Sequence, residues 1–217
     1  VLDMSEEKLL IIKDYILKLI NSFKTNIRIN SPVDKIRRQQ EGVEVSYNQY
    51  QKELYDRVVI ATHSDQALKI IKSPSKLETQ ILSAIPYQTN IAHLHSDCSV
   101  LPRSKNAWAS WNYFKPNKPK EETTVTYYMN MLQNLNMPEN ICVSLNMQEH
   151  IDPKKVYKRI LYQHPVFTSD SIMAQKRHSE IDGVDRIHFC GAYWGSGFHE
   201  DGLNSALSVC KSFGKFL

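Results

Sequence analysis

Residues 189–202 read Phe189-Cys190-Gly191-Ala192-Tyr193-Trp194-Gly195-Ser196-Gly197-Phe198-His199-Glu200-Asp201-Gly202 and hold four of the chain's seven glycines. A short apolar run, Ile187-His188-Phe189-Cys190, precedes the loop, and an amphipathic stretch over 202–213 follows it, giving strand, glycine-rich loop and helix. In that order, backbone N–H groups and a helix N-terminus face an anion, and the loop's aromatic rings can line a flat ring system. The same glycines also suit a tight, aromatic-packed surface turn, because glycine permits positive φ. Composition alone leaves both open. The spacing Gly195-Ser196-Gly197-Phe198-His199-Glu200 is not a dinucleotide fingerprint: its last position is Glu, and about eleven residues lie where a tight strand-to-helix turn is required.

Other residues invite chemistry with less support. His93 and His95 alternate on one face of an expected strand, as two metal ligands would, but no third ligand accompanies them, so no metal is expected. His199 and Glu200, beside the loop, suit substrate contact or proton handling, or serve the following helix, whose expected cap is Asp201. Trp108, Trp111 and Trp194 suit an aromatic wall or core packing equally. No Gly-x-Ser-x-Gly elbow and no Walker loop is found, which disfavours a serine hydrolase and a P-loop nucleotide site.

The elements that must position these groups follow from periodicity. Helices are expected over 5–23, 65–71, 75–83, 169–177 and 202–213, and another opening at Asp152-Pro153 through Lys158. Strands are expected from Val33 to Arg37, over 42–47, at 91–95, 107–111, 123–128 and 141–145, and at 187–190. The run Arg57-Val58-Val59-Ile60-Ala61-Thr62 fits a strand buried on both faces of a parallel sheet. The segment 115–120, with Pro116 and Pro119, reads as a loop.

A chain of 217 residues can form one substantial core or two small lobes. Its net charge of +4 is a small difference between 27 basic and 23 acidic residues, which are interspersed, so no nucleic-acid partner is expected. No apolar run approaches the ~20 residues needed to span a bilayer, and Val1-Leu2-Asp3-Met4-Ser5-Glu6-Glu7 shows no charged-then-apolar signal pattern, so secretion is not expected. Cys98, Cys142, Cys190 and Cys210 are widely spaced, which predicts buried thiols in a reducing, cytoplasmic setting.

Several segments in order resemble the flavin-containing amine oxidases, and most closely the bacterial subgroup described as predicted NAD/FAD-binding proteins. The residues that carry the resemblance are 55–67, Trp108-Ala109-Ser110-Trp111-Asn112-Tyr113, 124–130, Tyr162-Gln163-His164-Pro165-Val166-Phe167 and 189–202. The resemblance implies an α/β (α+β) chain, with a partial FAD-binding lobe at 1–72 and 183–217 and a mainly antiparallel substrate lobe at 73–182. It implies FAD contacts at Val33, Ala61, Thr62, Gly191, Ala192, Gly202 and Leu203, with the helix beginning at Gly202-Leu203 directing N–H groups to the flavin's N1 and C2 carbonyl. Ala192 stands where many relatives carry an acid. Trp111, Tyr193, Trp194, His199 and Glu200 are the substrate candidates. The implied activity is oxidation of a small molecule by hydride transfer from C–H to flavin, and no residue is singled out as its base. The family's Gly-x-Gly-x-x-Gly loop has no counterpart here, since no glycine precedes Gly42. The expectation is therefore a C-terminal half, without the N-terminal Rossmann βαβ unit and inactive alone. It works with a separate N-terminal chain, self-associates, or is a non-catalytic binding module.

Overall fold

The computed structural model describes residues 17–115 and 122–216. The fold is mixed α/β and divides into two compact units, Val1–Thr25 with Thr89–His164, and Asn26–Gln88 with Pro165–Leu217. Of the helix expected over 5–23, residues 17–20 are helical and 5–16 lie outside the described residues, as do 116–120 of the expected loop. Among the described residues no helix is long and apolar enough to cross a membrane.

In the second unit, β1 (Val33–Arg38), β2 (Val43–Tyr47) and β3 (Gln51–Tyr55) form an antiparallel meander. β4 (Val58–Ile60) pairs in parallel with β10 (Ile187–Phe189), with Val59 opposite His188. Helices α1 (Ser64–Ile70), α2 (Lys76–Ser83) and α4 (Ser169–Gln175) surround this pair's core, and α5 (His199–Ser212) follows β10. Residues 73–88 and 165–182 thus pack in this unit. Ser75 starts α2 by accepting the Glu78 N–H while the Glu78 carboxylate takes the Ser75 N–H, and Thr168 and Ser171 do the same for α4. Ile36, Ile60, Ile81, Leu82, Ile187 and Phe189 meet in one buried cluster, each contributing about 1.5–3 kcal/mol by leaving water.

The parallel pair differs from the expected doubly buried strand. Ile60 is buried, but Val59, which points to the other face, is 44% exposed, and among the described residues β4 pairs with β10 alone. The outer edge of β10, by contrast, is closed. The Phe189 N–H donates to the Asp182 carboxylate at 2.9 Å, the Phe189 carbonyl accepts from His178 at 2.7 Å, and the Ile187 carbonyl accepts the Gly183 N–H at 2.8 Å.

The first unit is built on a five-stranded sheet ordered β6-β7-β8-β5-β9, with β5 (Tyr87–His95), β6 (Trp111–Tyr113), β7 (Val125–Tyr128), β8 (Cys142–Leu145) and β9 (Val156–Pro165), and a short helix α3 (Met129–Leu132) after β7. The strand expected at 107–111 is instead a turn, Lys105–Ala107, leading to β6, and the helix expected after Asp152 is one turn, Pro153–Lys155, leading to β9. Register aligns His93, Ser144, Thr126 and Asn112 across four strands, and all four are buried. Leu94, Val143, Tyr127 and Trp111 line the opposite face, where Trp111 stands edge-on to Tyr127 at 5.0 Å and is 53% exposed. Cys142 and Cys190 are buried as expected, Cys98 is half-buried, and Cys210 is exposed.

Candidate functional site

In an open parallel sheet, ligands bind beyond the C-terminal ends of the strands. In the second unit that edge is formed by Ala61 and Thr62 after β4 and by Cys190, Gly191 and Ala192 after β10, joined where the Cys190 N–H donates to the Ile60 carbonyl at 3.0 Å. Gly191 is required by crowding, since a Cβ there would lie 2.4 Å from the Tyr193 ring. Its N–H donates to Ser205 Oγ at 3.0 Å, which ties the loop to α5. Gly202 also belongs to this edge: its Cβ position is 3.8 Å from Ala192. Six of the expected residues, Ala61, Thr62, Gly191, Ala192, Tyr193 and Trp194, therefore cluster at the C-terminal end of the parallel pair, beside the first turn of α5 with His199 and Glu200. Val33 lies apart from that edge in the chain's meander, as the first residue of β1, and Trp111 belongs to the other unit's sheet.

The start of α5 differs from expectation. The helix begins at His199, and the Gly202 N–H is spent inside it on the Phe198 carbonyl at 3.2 Å. The Asp201 carboxylate accepts the Phe198 N–H at 2.9 Å and so occupies the end of the helix that an anion would face. Gly195 exists to admit that carboxylate, because a Cβ there would lie 2.3 Å from Asp201 Oδ1. What α5 offers a ligand is thus its first turn and the exposed Leu203, not amides at Gly202.

Beneath the loop, Tyr193 is 3% exposed and Trp194 is half-buried, with ring centroids 4.9 Å apart, and neither Tyr193 Oη nor Trp194 Nε1 meets a hydrogen-bond partner. Burial, with Tyr87 and Cys190 near, pushes the Tyr193 phenol well up, so it stays protonated and a donor. Residues the sequence did not single out complete the shell. Tyr87 stacks on His63 at 4.5 Å and accepts the Ser64 N–H, and Gln175 reaches the loop's carbonyls. Ser205, three residues after Gly202 on one helix face, was open to discovery by spacing. His63 follows directly on Thr62. Gln175 carries no sequence signal.

In the other unit, His95 uses both ring nitrogens, accepting the Asp97 N–H at 3.1 Å and meeting Ser144 Oγ at 2.8 Å, while His93 Nδ1 is buried without a partner. Among the described residues no group of three or more His, Cys, Asp or Glu is arranged to hold a metal ion.

As a cradle for a flavin, the edge fits in part. Close backbone approach at Gly191, exposed Ala61 and Thr62, and two orphaned donors beneath the loop suit an uncharged ring system and its polar rim. Residues 189–203 contain no Lys or Arg, and Asp201 faces the helix end, so a pyrophosphate finds no counter-charge in this loop.

Residues 12–100 match the family model described as flavin containing amine oxidoreductase. No curated protein matches the sequence. Among solved structures, the chain is similar to a protein assigned as a protoporphyrinogen oxidase from Exiguobacterium sp. 255-15 (TM-score 0.62, 12% identity, 92% of this chain and 50% of that one). It is also similar to cyclohexylamine oxidase from Brevibacterium oxydans IH-35A (TM-score 0.56, 12% identity, 91% and 52%) and to reduced UDP-galactopyranose mutase (TM-score 0.57, 11% identity, 84% and 46%). At such identities the likeness is one of fold, and the chain spans about half the length of these relatives. Over residues 12–100 the chain is similar in sequence to the flavin containing amine oxidoreductases, and over most of its length it has the fold of these solved structures.

Proposed function

We propose that this chain forms the flavin-ring side and the substrate-facing sheet of an FAD-dependent oxidoreductase of amine-oxidase type. One observation carries the reading: the loop after β10 is fitted around Gly191 at the C-terminal end of a parallel strand pair, with two buried donors left without partners. Bound FAD would supply hydride acceptance from a substrate C–H bond. The residues of this chain orient and shield. Ala61, Thr62, Gly191 and Ala192 bring backbone close to the cofactor, Tyr193 and Trp194 close off water beneath it, and His199, Glu200 and Leu203 border it on the α5 side. The expected lobes, 1–72 with 183–217 for the cofactor and 73–182 for substrate, belong to this proposal. Trp111, 53% exposed and edge-on to half-buried Tyr127, suits contact with an apolar small molecule.

A second reading is favoured by the strand edges. β10 is sealed by Asp182, His178 and Gly183, while β4 pairs, among the described residues, with β10 alone. An edge sealed on one side and open on the other suits addition of a parallel strand at β4, so the cofactor's pyrophosphate would be held by a separate nucleotide-binding segment. One experiment separates the two readings. Purified chain is incubated with FAD, freed of unbound cofactor and examined by absorbance. A retained flavin band with resolved shoulders supports holding by this chain alone. Colourless protein sinks that reading and leaves the requirement for a partner segment.

A further inference from the structure

The loop that forms the candidate site is tied to α5 at its two ends, by Gly191 to Ser205 and by Phe198 to Asp201, and has few bonds of its own between them. Its internal bonds are three backbone contacts, from Trp194 to Gly191 and from Gly195 and Gly197 to Ala192. Gly197 has φ +90°, and Ser196, Gly197 and Phe198 are exposed. A stretch this short and glycine-rich is open to conformational entropy. The middle of the loop is held from a distant part of the sequence. At the C-terminal end of α4, Gln175 Nε2 donates to the Tyr193 carbonyl at 2.9 Å and to the Gly195 carbonyl at 2.7 Å. Both partners are carbonyl oxygens, so the amide's NH2 must face the loop, and its two hydrogens match the two acceptors. Three residues on, His178 holds the Phe189 carbonyl and packs on Trp194 at 4.3 Å.

We infer that Gln175 is a positioning residue that fixes the 192–195 turn in its ligand-ready form, so that flavin binding depends on an amide that would not itself touch the cofactor. The part about binding rests on the flavin reading above; the part about the loop does not. Gln175 pre-organises the backbone around Gly191 and keeps Tyr193 and Trp194 beneath it, which lowers the ordering cost when a ligand arrives.

The test uses the full chain and two variants, Gln175→Leu and Gln175→Glu, read by amide hydrogen exchange over 191–198 and by titration with FAD. Loss of two hydrogen bonds in Gln175→Leu is expected to speed exchange of those amides roughly tenfold or more, with little change in the meander 33–55. FAD affinity is expected to fall by a similar factor. In Gln175→Glu the carboxylate opposes two carbonyls at pH 7, but the protonated acid has one hydrogen to donate. Loop protection relative to wild type is therefore expected to recover in part at about pH 4. A general packing role would not produce that pH dependence. Unchanged exchange in Gln175→Leu overturns the inference, whatever FAD does. If that variant does not fold, pH-insensitive exchange in Gln175→Glu overturns it instead. If wild type binds no FAD but the loop loosens as expected, the positioning role stands and the flavin reading fails.

Discussion

Replacing Arg38 with methionine is expected to lower the unfolding free energy of the chain by about 3 kcal/mol. Arg38 ends β1 and is 22% exposed, and its guanidinium pairs with Glu78 on α2, whose side chain is only 2% exposed. Glu78 also accepts the Ser75 N–H at 2.7 Å, so one carboxylate both starts α2 and ties it to the meander. Removing the guanidinium leaves a buried carboxylate with a single neutral donor, and Asp185, 3.9 Å from Arg38 Nε and 74% exposed, cannot replace a cation. Deleting both charges behaves differently, because the desolvation penalty of each ion goes with it. The double variant Arg38→Met/Glu78→Gln, whose amide carbonyl can still accept from Ser75, is expected to regain most of the loss. Urea unfolding of wild type, both single variants and the double variant gives the coupling directly. A single Arg38→Met variant within about 0.5 kcal/mol of wild type would sink the idea that this pair holds α2 in place.

What the sequence disclosed and withheld follows physical lines. The helix at 75–83 was legible because Ser75 and Glu78 stand at capping-box spacing before buried Ile81 and Leu82. The strands at 43–47, 125–128 and 142–145 were legible from alternation or from β-branched content, and β4 and β10 from short apolar runs. β9 was not. Its ten residues are all exposed or half-buried, Lys158 and Arg159 break any apolar pattern, and Asp152-Pro153 ahead of it signals a helix that lasts one turn. A strand whose side chains are solvated on both faces carries no alternating hydrophobic code. β3, with Gln51, Lys52 and Glu53, is hidden for the same reason.

The start of α5 was misplaced by three residues because Gly202 reads as a helix breaker. Tertiary context overrides that preference. Asp201 caps from inside the first turn, and Ala192 passes close to the face where Gly202 has no side chain. The candidate site was legible as a loop, since its glycines and rings are adjacent in sequence. Its support was not, because Gln175 and His178 lie at and just past the end of α4, 11 to 20 residues before the groups they hold, and nothing local marks them.

Stability of the first unit is expected to fall by about 2–3 kcal/mol between pH 7 and pH 4.5 through His95. The imidazole is fully buried, and burial pushes its pKa from the usual 6.5 to about 4, with the Asp97 carboxylate opposing the shift and neighbouring His93 adding to it. The hydrogen bonds explain why the neutral form is built in. Nδ1 accepts the Asp97 N–H, so the proton sits on Nε2 and is donated to Ser144 Oγ, which continues to Thr126 Oγ1 at 2.6 Å. A second proton on Nδ1 would meet an N–H head-on. Below pH 6.5 the unfolded chain takes up that proton and the folded chain does not, until about pH 4. The unfolded state therefore binds more protons in this window, and stability is lost as pH falls through it.

His93, also lowered by burial and then by Arg159, adds in the same sense. Asp97 acts lower. Burial raises its pKa, but the Asp152 and Ser99 N–H groups and Lys155 outweigh that and hold it at about 2, so its contribution is lost only below the ordinary carboxylate range. Trp108 and Trp111 both lie in this unit, so their emission in a Trp194→Phe background follows it alone. Urea midpoints at pH 7 and pH 4.5 should separate widely in that background and much less with His95→Gln added. Equal separation with and without His95→Gln would mean that the buried imidazole is not what makes this sheet acid-sensitive.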